Sequence, residues 1–316
     1  MNLSKNSSKI SQNSSILSKH NKSYKLIEEN IKYEINKRRG KPPLWKIDDF
    51  QIGFQLGEGK FGEIFLARIK AMKYLLALKI IYKSRLVNEG NLKQFTTELK
   101  ILTKLKHQNL LKLYTYFYDA TGIYLIMEYA ENGDVYGLIN KQVNRRLSEG
   151  TVARYIYQVC DGIQYCHKLG IIHSNLKPEN LLLDFNGNIK ITGFDQAVFS
   201  YSKDILITSN FVSLEYLAPE IIMKQCYDFL VDNWNIGILC YELLTGYTPF
   251  QEIYEKNLLK KMVKSDIFYP AVISANARNL IKKLLKFKAN DRLELNGVMK
   301  HRWIIRFVGN KKCFVK

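Results

Sequence analysis

Hydrophobic and polar positions alternate through the first half of the globular part of the chain, which begins near Trp45. Short runs of β-branched and aromatic residues separated by glycine-containing turns are typical of strands. One longer stretch carries apolar residues three or four positions apart, as in an amphipathic helix. The pattern predicts strands at Phe50–Leu56, Ile64–Ala67, Leu75–Tyr82, Leu111–Tyr118 and Ile123–Tyr129, and a helix at Leu92–Leu105.

Helical periodicity replaces this alternation after about residue 135. It predicts four long helices, at residues 151–169, 231–245, 276–287 and 294–301. A small β-rich lobe with one key helix, followed by a larger α-helical lobe, is an α+β, bilobal arrangement.

The residues before Trp45 have a different composition. Residues 1–22 are mainly Ser, Asn and Lys, with too little apolar surface to offset the entropy of ordering, and they predict a disordered tail. Leu26 to Ile35 is typical of a short amphipathic helix that packs on the domain or docks on a partner. Lys37–Pro43 is typical of a basic linker or a nuclear-localisation patch. The expected division is a basic tail over 1–44, a small lobe over 45–130, a larger lobe over 131–306 and a short basic tail over 307–316.

Composition excludes several classes of protein. With 316 residues, of which 47% are hydrophobic, the chain can bury a core without disulfides or metals. Its five cysteines form no C-x-x-C pair, which favours reduced thiols in a cytosolic or nuclear protein. No apolar run is long enough for a membrane span, and no apolar leader suggests a secretory signal.

The charge balance is strongly basic, with 48 Lys and Arg against 29 Asp and Glu, a net charge of +19. Such an excess favours polyanionic partners, although lysines scattered over a solvated surface give the same count. Basic residues cluster only in the amino-terminal stretch and in the last third of the chain. No recognised nucleic-acid motif stands beside them, so no specific nucleic-acid partner is expected.

Gly57, Gly59 and Gly62 form a G-x-G-x-x-G motif. In a dinucleotide-binding fold this motif runs into a helix, whereas in a kinase fold it is a strand–turn–strand lid over phosphates. The β-prone residues Ile64 and Phe65 follow, and they favour the lid.

Lys79 lies in the hydrophobic run Leu75–Tyr82, and Glu98 lies on the predicted helix that follows. Each alone is compatible with an ordinary solvent-facing residue. Together, beside a phosphate lid, they match a lysine that pairs with nucleotide phosphates and the acid that orients it.

Further blocks follow in the second half, in the order His173–Asn180, Gly193–Asp195, Ala218–Glu220 and Asp232–Trp234, with Arg292 closing the series. Their order and spacing resemble the eukaryotic protein-kinase signature set. Within that superfamily the chain resembles the Aurora family of serine/threonine kinases over about residues 46–305. The stretches that carry the resemblance are Trp45–Gly62, Leu75–Lys83, Asn109–Asp119, Tyr124–Ala130 and Leu239–Pro249.

The resemblance implies an ATP site, together with Lys177 in the catalytic loop, Asn180 as a metal ligand and a buried Glu220–Arg292 ion pair. Leu102, His173, Phe194 and Asp232 resemble the family's internal packing and anchoring residues. The ATP-binding positions it implies are Leu56, Gly57, Gly59, Gly62, Ile64, Ala77, Lys79, Glu98, Glu128, Ala130 and Leu182.

The chain departs from the family where the chemistry is performed. Asn175 replaces the catalytic aspartate of H-R-D, and an amide cannot accept a proton near neutral pH. Gly193 replaces the aspartate of D-F-G, which holds Mg²⁺. Asp195 is a possible substitute only if the loop shifts. We therefore expect ATP in the pocket and impaired Mg²⁺ binding.

The activation segment departs as well. Thr208 and Ser209 stand where the family carries its activating threonines, but Ser174 replaces the arginine that meets the phosphate. Phosphorylation is expected to order this segment less. Gln196 replaces the aromatic residue that follows D-F-G in the family.

Three functions remain open from the sequence. The first is a pseudokinase that binds nucleotide and acts as a scaffold or allosteric regulator. The second is a slow serine/threonine kinase with altered metal coordination, and the third is a binding module for acidic surfaces that uses the basic tail. The resemblance implies spindle, centrosome or chromosome proteins as partners and a cytoplasmic or nuclear location.

Overall fold

The computed structural model of the chain describes residues 45–200, 214–252, 254–264 and 267–309. The predicted tails, with the amphipathic helix and the basic linker, lie outside the described residues, as do Thr208 and Ser209. The chain divides into two units. The first runs to Lys104 and adds Leu113–Tyr129, and the second comprises Leu105–Lys112 and the residues from Ala130 onward.

The first unit is built on a five-stranded antiparallel sheet with the order β1-β2-β3-β5-β4. One face of the sheet buries an apolar cluster that includes Leu76, Leu78, Phe117 and Tyr124. The strands are β1 (Phe50–Gly59), β2 (Gly62–Ile69), β3 (Leu75–Tyr82), β4 (Leu113–Tyr118) and β5 (Gly122–Met127).

A single α-helix, α1 (Glu89–Leu102), belongs to the first unit as described. Its N-cap is Asn88, whose side-chain oxygen accepts a hydrogen bond from the Asn91 N–H at 3.1 Å. The ring of Phe95 meets Phe61 edge-on, with 6.2 Å between ring centroids, so the helix is anchored to the tip of the β1–β2 hairpin. The predicted helix is confirmed, with its start three residues earlier because of this cap.

The second unit is mainly helical. The longest of the described helices has Ser148 as its N-cap, and the Ser148 hydroxyl accepts a hydrogen bond from the Thr151 N–H at 3.2 Å. The helices are α2 (Val135–Asn140), α3 (Glu149–Lys168), α4 (Pro219–Ile222), α5 (Leu230–Thr245), α6 (Glu255–Lys264), α7 (Ala275–Leu284), α8 (Leu295–Met299) and α9 (Arg302–Val308).

Two short strand pairs position the loops of the second unit. The strands β6 (Ile171–Ile172) and β9 (Val198–Phe199) pair with each other, as do β7 (Leu181–Leu183) and β8 (Ile189–Ile191). The loop from β6 to β7 and the loop from β8 to β9 connect the same two strand pairs, and they therefore lie side by side.

The helix predicted over residues 294–301 is wrong in its extent. Only α8, over Leu295–Met299, lies in this range, and α9 begins directly after it because the His301 backbone is extended and its Nδ1 accepts from the Trp303 N–H. The side chain thus caps a new helix and ends the old one. The predicted helix at 276–287 also ends earlier, at Leu284.

Candidate functional site

The glycine motif lies on the β1–β2 hairpin, as the strand–turn–strand interpretation predicted. The pairing continues to its tip, with Gly57 opposite Ile64 and Gly59 opposite Gly62. The turn is therefore limited to Lys60 and Phe61. β1 is longer than the predicted strand because the glycine-containing segment itself pairs.

The three glycines differ in what their missing side chains leave free. A Cβ on Gly62 would overlap the carbonyl oxygen of Ile80, so packing within the sheet requires glycine there. A Cβ on Gly57 would meet nothing within 4 Å, and one on Gly59 only a carbonyl oxygen at 3.9 Å. Packing therefore does not require glycine at these two positions, and the missing side chains leave room for a ligand to approach the backbone.

The strand register places the implied nucleotide-facing residues on one face of the sheet. Gly57 lies opposite Ile64, and Ile64 lies opposite Lys79. Ala77 precedes Lys79 by two residues and shares this face, because side chains alternate along a strand. The other face carries Leu76 and Leu78 of the apolar cluster.

Lys79 and Glu98 form the predicted ion pair. Lys79 Nζ lies 2.6 Å from Glu98 Oε1, and only 14% and 5% of the two side chains are exposed. Glu98 Oε2 is buried without a hydrogen-bond partner among the described atoms. The Glu98 carboxylate therefore fixes the position of the Lys79 ammonium group, and both groups are largely shielded from solvent.

The remaining implied nucleotide residues are distributed over the two units. Leu56 lies in β1 and is 39% exposed to solvent. Glu128 directly follows β5. Ala130 and Leu182 belong to the second unit, where Ala130 is buried and Leu182 lies in β7.

Asp232, at the start of α5, anchors the loop between β6 and β7. Its carboxylate accepts the N–H groups of His173 at 3.0 Å and Ser174 at 2.8 Å, and it bonds His167 Nε2 at 2.8 Å. Burial alone would raise the pKa of Asp232, but the hydrogen bond and charge of His167 hold it below its ordinary value. Ser174 thereby keeps a left-handed backbone, with φ 62°, that is costly for a residue with a Cβ.

His173 connects this loop to the next one. Its Nε2–H donates to the Thr192 carbonyl at 2.9 Å, and its Nδ1 accepts from the Asn175 N–H at 3.2 Å. Burial lowers the pKa of His173, in keeping with this neutral tautomer. Its ring also meets Phe194 at a centroid distance of 4.7 Å. The anchoring roles expected for His173, Phe194 and Asp232 thus have a geometric basis.

Asn175, Asn180 and Gly193 come together in the second unit. Asn180 lies in a 3-10 turn (Pro178–Asn180), and its Nδ2 donates to the Asn175 carbonyl at 2.7 Å. Gly193 has φ 78°, and a Cβ there would lie 2.5 Å from both Nδ2 and Oδ1 of Asn180. Lys177 precedes the same turn.

Asp195 lies in the following 3-10 turn (Phe194–Gln196). It accepts a hydrogen bond from its neighbour Gln196 at 3.4 Å and acts electrostatically on His173.

Comparison with known proteins identifies the fold family. The protein kinase domain model matches residues 50–304. Aurora kinase C of Mus musculus is 40% identical over 258 residues, which cover 82% of this chain and 92% of the relative. Aurora kinase of Saccharomyces cerevisiae is 38% identical over 271 residues, 86% of this chain and 73% of the relative.

The chain belongs to the Aurora kinase family. Aurora kinase A-A of Xenopus laevis, 41% identical over 272 residues, is matched over 86% of this chain and 66% of its own length. Protein kinases bind ATP, usually with Mg²⁺.

The Mg²⁺ ligands that the family resemblance implies are only partly present in this member, because Asn180 is kept but Gly193 replaces the aspartate. Mg²⁺ requires near-octahedral oxygen coordination and is usually bound through one or two carboxylates. Gly193 contributes no oxygen from a side chain, and the amide of Asn180 occupies the space beside it. No group of three His, Cys, Asp or Glu side chains suited to a metal ion occurs in the described part of the chain. The residues present therefore do not fit the ion.

The structure of this Aurora-family member also reveals an acidic cluster that the sequence analysis missed. Tyr216 donates a hydrogen bond to Glu242, with Glu179 and Glu215 close enough to act on both. Burial, aided by the neighbouring carboxylates, raises the pKa of Glu242 to about 7. The available sequence signal is a glutamate inside the apolar run of α5.

None of the described helices is long and apolar enough to cross a membrane.

Proposed function

We propose that this Aurora-family protein is a nucleotide-binding pseudokinase that acts as a scaffold or allosteric regulator. Gly193 and Asn180 carry the proposal, because the position that should hold a metal-binding carboxylate is filled by an amide. Asn175 adds to it, since an amide cannot take the proton of a substrate hydroxyl.

Nucleotide binding is supported by the first unit. Gly57 and Gly59 leave open space along the hairpin, and Glu98 holds Lys79 in the position for phosphate recognition. In this proposal backbone N–H groups of the hairpin and the Lys79 ammonium bind phosphate oxygens. The anchors at Asp232 and His173 keep the second unit's loops in shape without performing chemistry.

The test is phosphotransfer from labelled ATP to a generic basic substrate, first with Mg²⁺ and then with Mn²⁺. An Aurora kinase serves as the positive control and Lys79→Met as the background. We expect incorporation no higher than that of Lys79→Met. Incorporation that disappears in Lys79→Met would overturn the proposal.

A slow serine/threonine kinase is the second candidate, favoured by the intact Lys79–Glu98 pair. It requires Asp195 to take over the metal. Asp195→Asn separates the two candidates, because it abolishes incorporation only if Asp195 binds the metal.

A binding module for acidic surfaces is the third candidate, and it is compatible with the first. From α7 onward, the described residues include seven exposed basic residues but only two exposed acidic ones, Asp291 and Glu294. The basic residues are Lys282, Lys283, Lys286, Lys288, Lys300, Arg302 and Arg306. As a proposal from family membership alone, its partners are spindle, centrosome or chromosome proteins in the cytoplasm or nucleus.

A further inference from the structure

Asn180 is held in place from several sides. Its N–H donates to the Lys177 carbonyl at 3.0 Å, and its carbonyl accepts from the Thr192 N–H at 2.9 Å. Its side-chain Nδ2 donates to the Asn175 carbonyl at 2.7 Å. The amide therefore cannot leave its position beside Gly193 without breaking a hydrogen bond.

The same amide fills the space that a side chain at position 193 would need. Both of its terminal atoms lie 2.5 Å from an ideal Cβ on Gly193, well inside van der Waals contact. Only glycine accommodates this arrangement together with φ 78°. The amide of Asn180 thus occupies the space through which a side chain at position 193 would have to reach a cation.

We propose that Asn180 closes the metal position of this chain and that the protein binds nucleotide independently of divalent cations. The second part rests on the nucleotide binding proposed above. Without a cation, the negative charge of the phosphates has to be balanced by protein groups. In this proposal those groups are the Lys79 ammonium and backbone N–H groups of the β1–β2 hairpin. This arrangement removes the ion that would polarise a transferring phosphoryl group but retains a ligand-sensitive scaffold.

The closure is tested by thermal unfolding of the full-length protein. Gly193→Ala should lower Tm by about 5 °C more than Gly187→Ala. Gly187 is a matched control, because it has φ 70° but nothing within 4 Å of its Cβ, so both variants carry the same backbone strain. In an Asn180→Ala background the difference between the two alanine variants should disappear. Equal Tm losses in the presence of Asn180 would overturn the closure.

The metal independence is tested by titrating a fluorescent ATP analogue in EDTA, in MgCl2 and in MnCl2. We expect the three dissociation constants to agree within about twofold. Binding that tightens tenfold or more with Mg²⁺ or Mn²⁺ would overturn metal independence. It would not decide whether phosphotransfer occurs, which the labelled-ATP assay tests separately. Binding in none of the three conditions would overturn metal independence and the nucleotide half of the proposed function together. The unfolding experiment would still decide the closure.

Discussion

The glycine-rich hairpin and the loop at Gly193 both depend on glycine, but for opposite reasons. Gly57 and Gly59 border open space that packing does not claim. Gly193 borders an amide that has already taken its space. In the proposed function, the first region keeps the open space that a nucleotide needs, and the second lacks the carboxylate that phosphoryl transfer needs. The proposal therefore assigns nucleotide recognition and phosphoryl transfer to different residues on different units.

The largest expected loss of stability comes from a buried ion pair in the second unit. A protein that acts as a scaffold has to keep this unit folded. Arg292 Nη1 and Nη2 donate to the two oxygens of Glu220 at 2.6 and 2.7 Å, and Arg292 is 4% exposed. Glu220→Ala leaves the buried guanidinium with backbone carbonyl partners but without a counter-charge, and it should lower the free energy of unfolding by about 3–5 kcal/mol. Urea denaturation measures this loss.

The matched control is Glu252→Ala, which removes an ion pair of comparable length. Lys261 Nζ lies 2.8 Å from Glu252, but 42% of the lysine side chain is exposed. Exposed pairs contribute less than about 1 kcal/mol. Equal losses from the two variants would contradict the scaffold interpretation.

A smaller effect separates the glycines of the hairpin. Gly62→Ala places a methyl group against the Ile80 carbonyl and should cost about 1–3 kcal/mol in unfolding free energy. Gly59→Ala should change it by less than about 0.5 kcal/mol, because the space is open. Gly59→Ala should instead weaken nucleotide binding. The comparison between hairpin and loop fails if Gly59→Ala unfolds the protein as readily as Gly62→Ala.

The secondary structure of the sheet could be read from the sequence because alternation is a local signal. β3 was predicted with its observed bounds, and α1 within three residues at each end. β6 and β9 span two residues each and leave no periodicity to detect. The break at His301 depends on one side-chain cap inside a continuous apolar pattern.

The site was predictable in its residue types but not in its contacts. Motif spacing identified Lys79 and Glu98, and their ion pair follows from facing elements. The filling of position 193 by Asn180 could not be predicted, since it depends on two loops that leave separate strand pairs. The acidic cluster likewise unites residues from three distant segments, at Glu179, Tyr216 and Glu242.

Glu242 gives the second unit a pH-dependent stability. Its pKa is raised from 4.5 to about 7, mainly by burial, so the folded state binds the proton more tightly than the unfolded state. The stability this contributes is fully present below pH 4.5 and is lost as pH rises through 7. In Glu242→Gln the contribution is absent.

The difference in unfolding free energy between the wild type and Glu242→Gln should therefore change by roughly 3 kcal/mol between pH 4.5 and 8. Taking the difference cancels His173, whose lowered pKa acts in the opposite direction in both proteins. Urea unfolding at several pH values measures it. A pH-independent difference would show that Glu242 titrates normally.

The smallest effect concerns the basic surface from α7 onward, which belongs to neither of the compared regions. Lys283 and Arg302 lie close enough to His301 to lower its pKa, after the larger effect of burial, so their charges share one face. His301 Nε2 and Asn279 Oδ1, 3.0 Å apart, join that face to α7. Replacing both Lys283 and Arg302 by Glu should weaken binding to a polyglutamate peptide several-fold and reduce its salt dependence.

Lys70→Glu with Lys73→Glu carries the same change of charge on the first unit and serves as the control. Unfolding free energies should stay within about 1 kcal/mol of the wild type, since the four side chains are exposed. If the control weakens peptide binding as much as the test variant does, attraction follows net charge alone. If neither variant changes binding, the acidic partner is held elsewhere on the chain. Only a loss confined to Lys283 and Arg302 assigns the second unit a binding surface of its own, separate from the proposed nucleotide site.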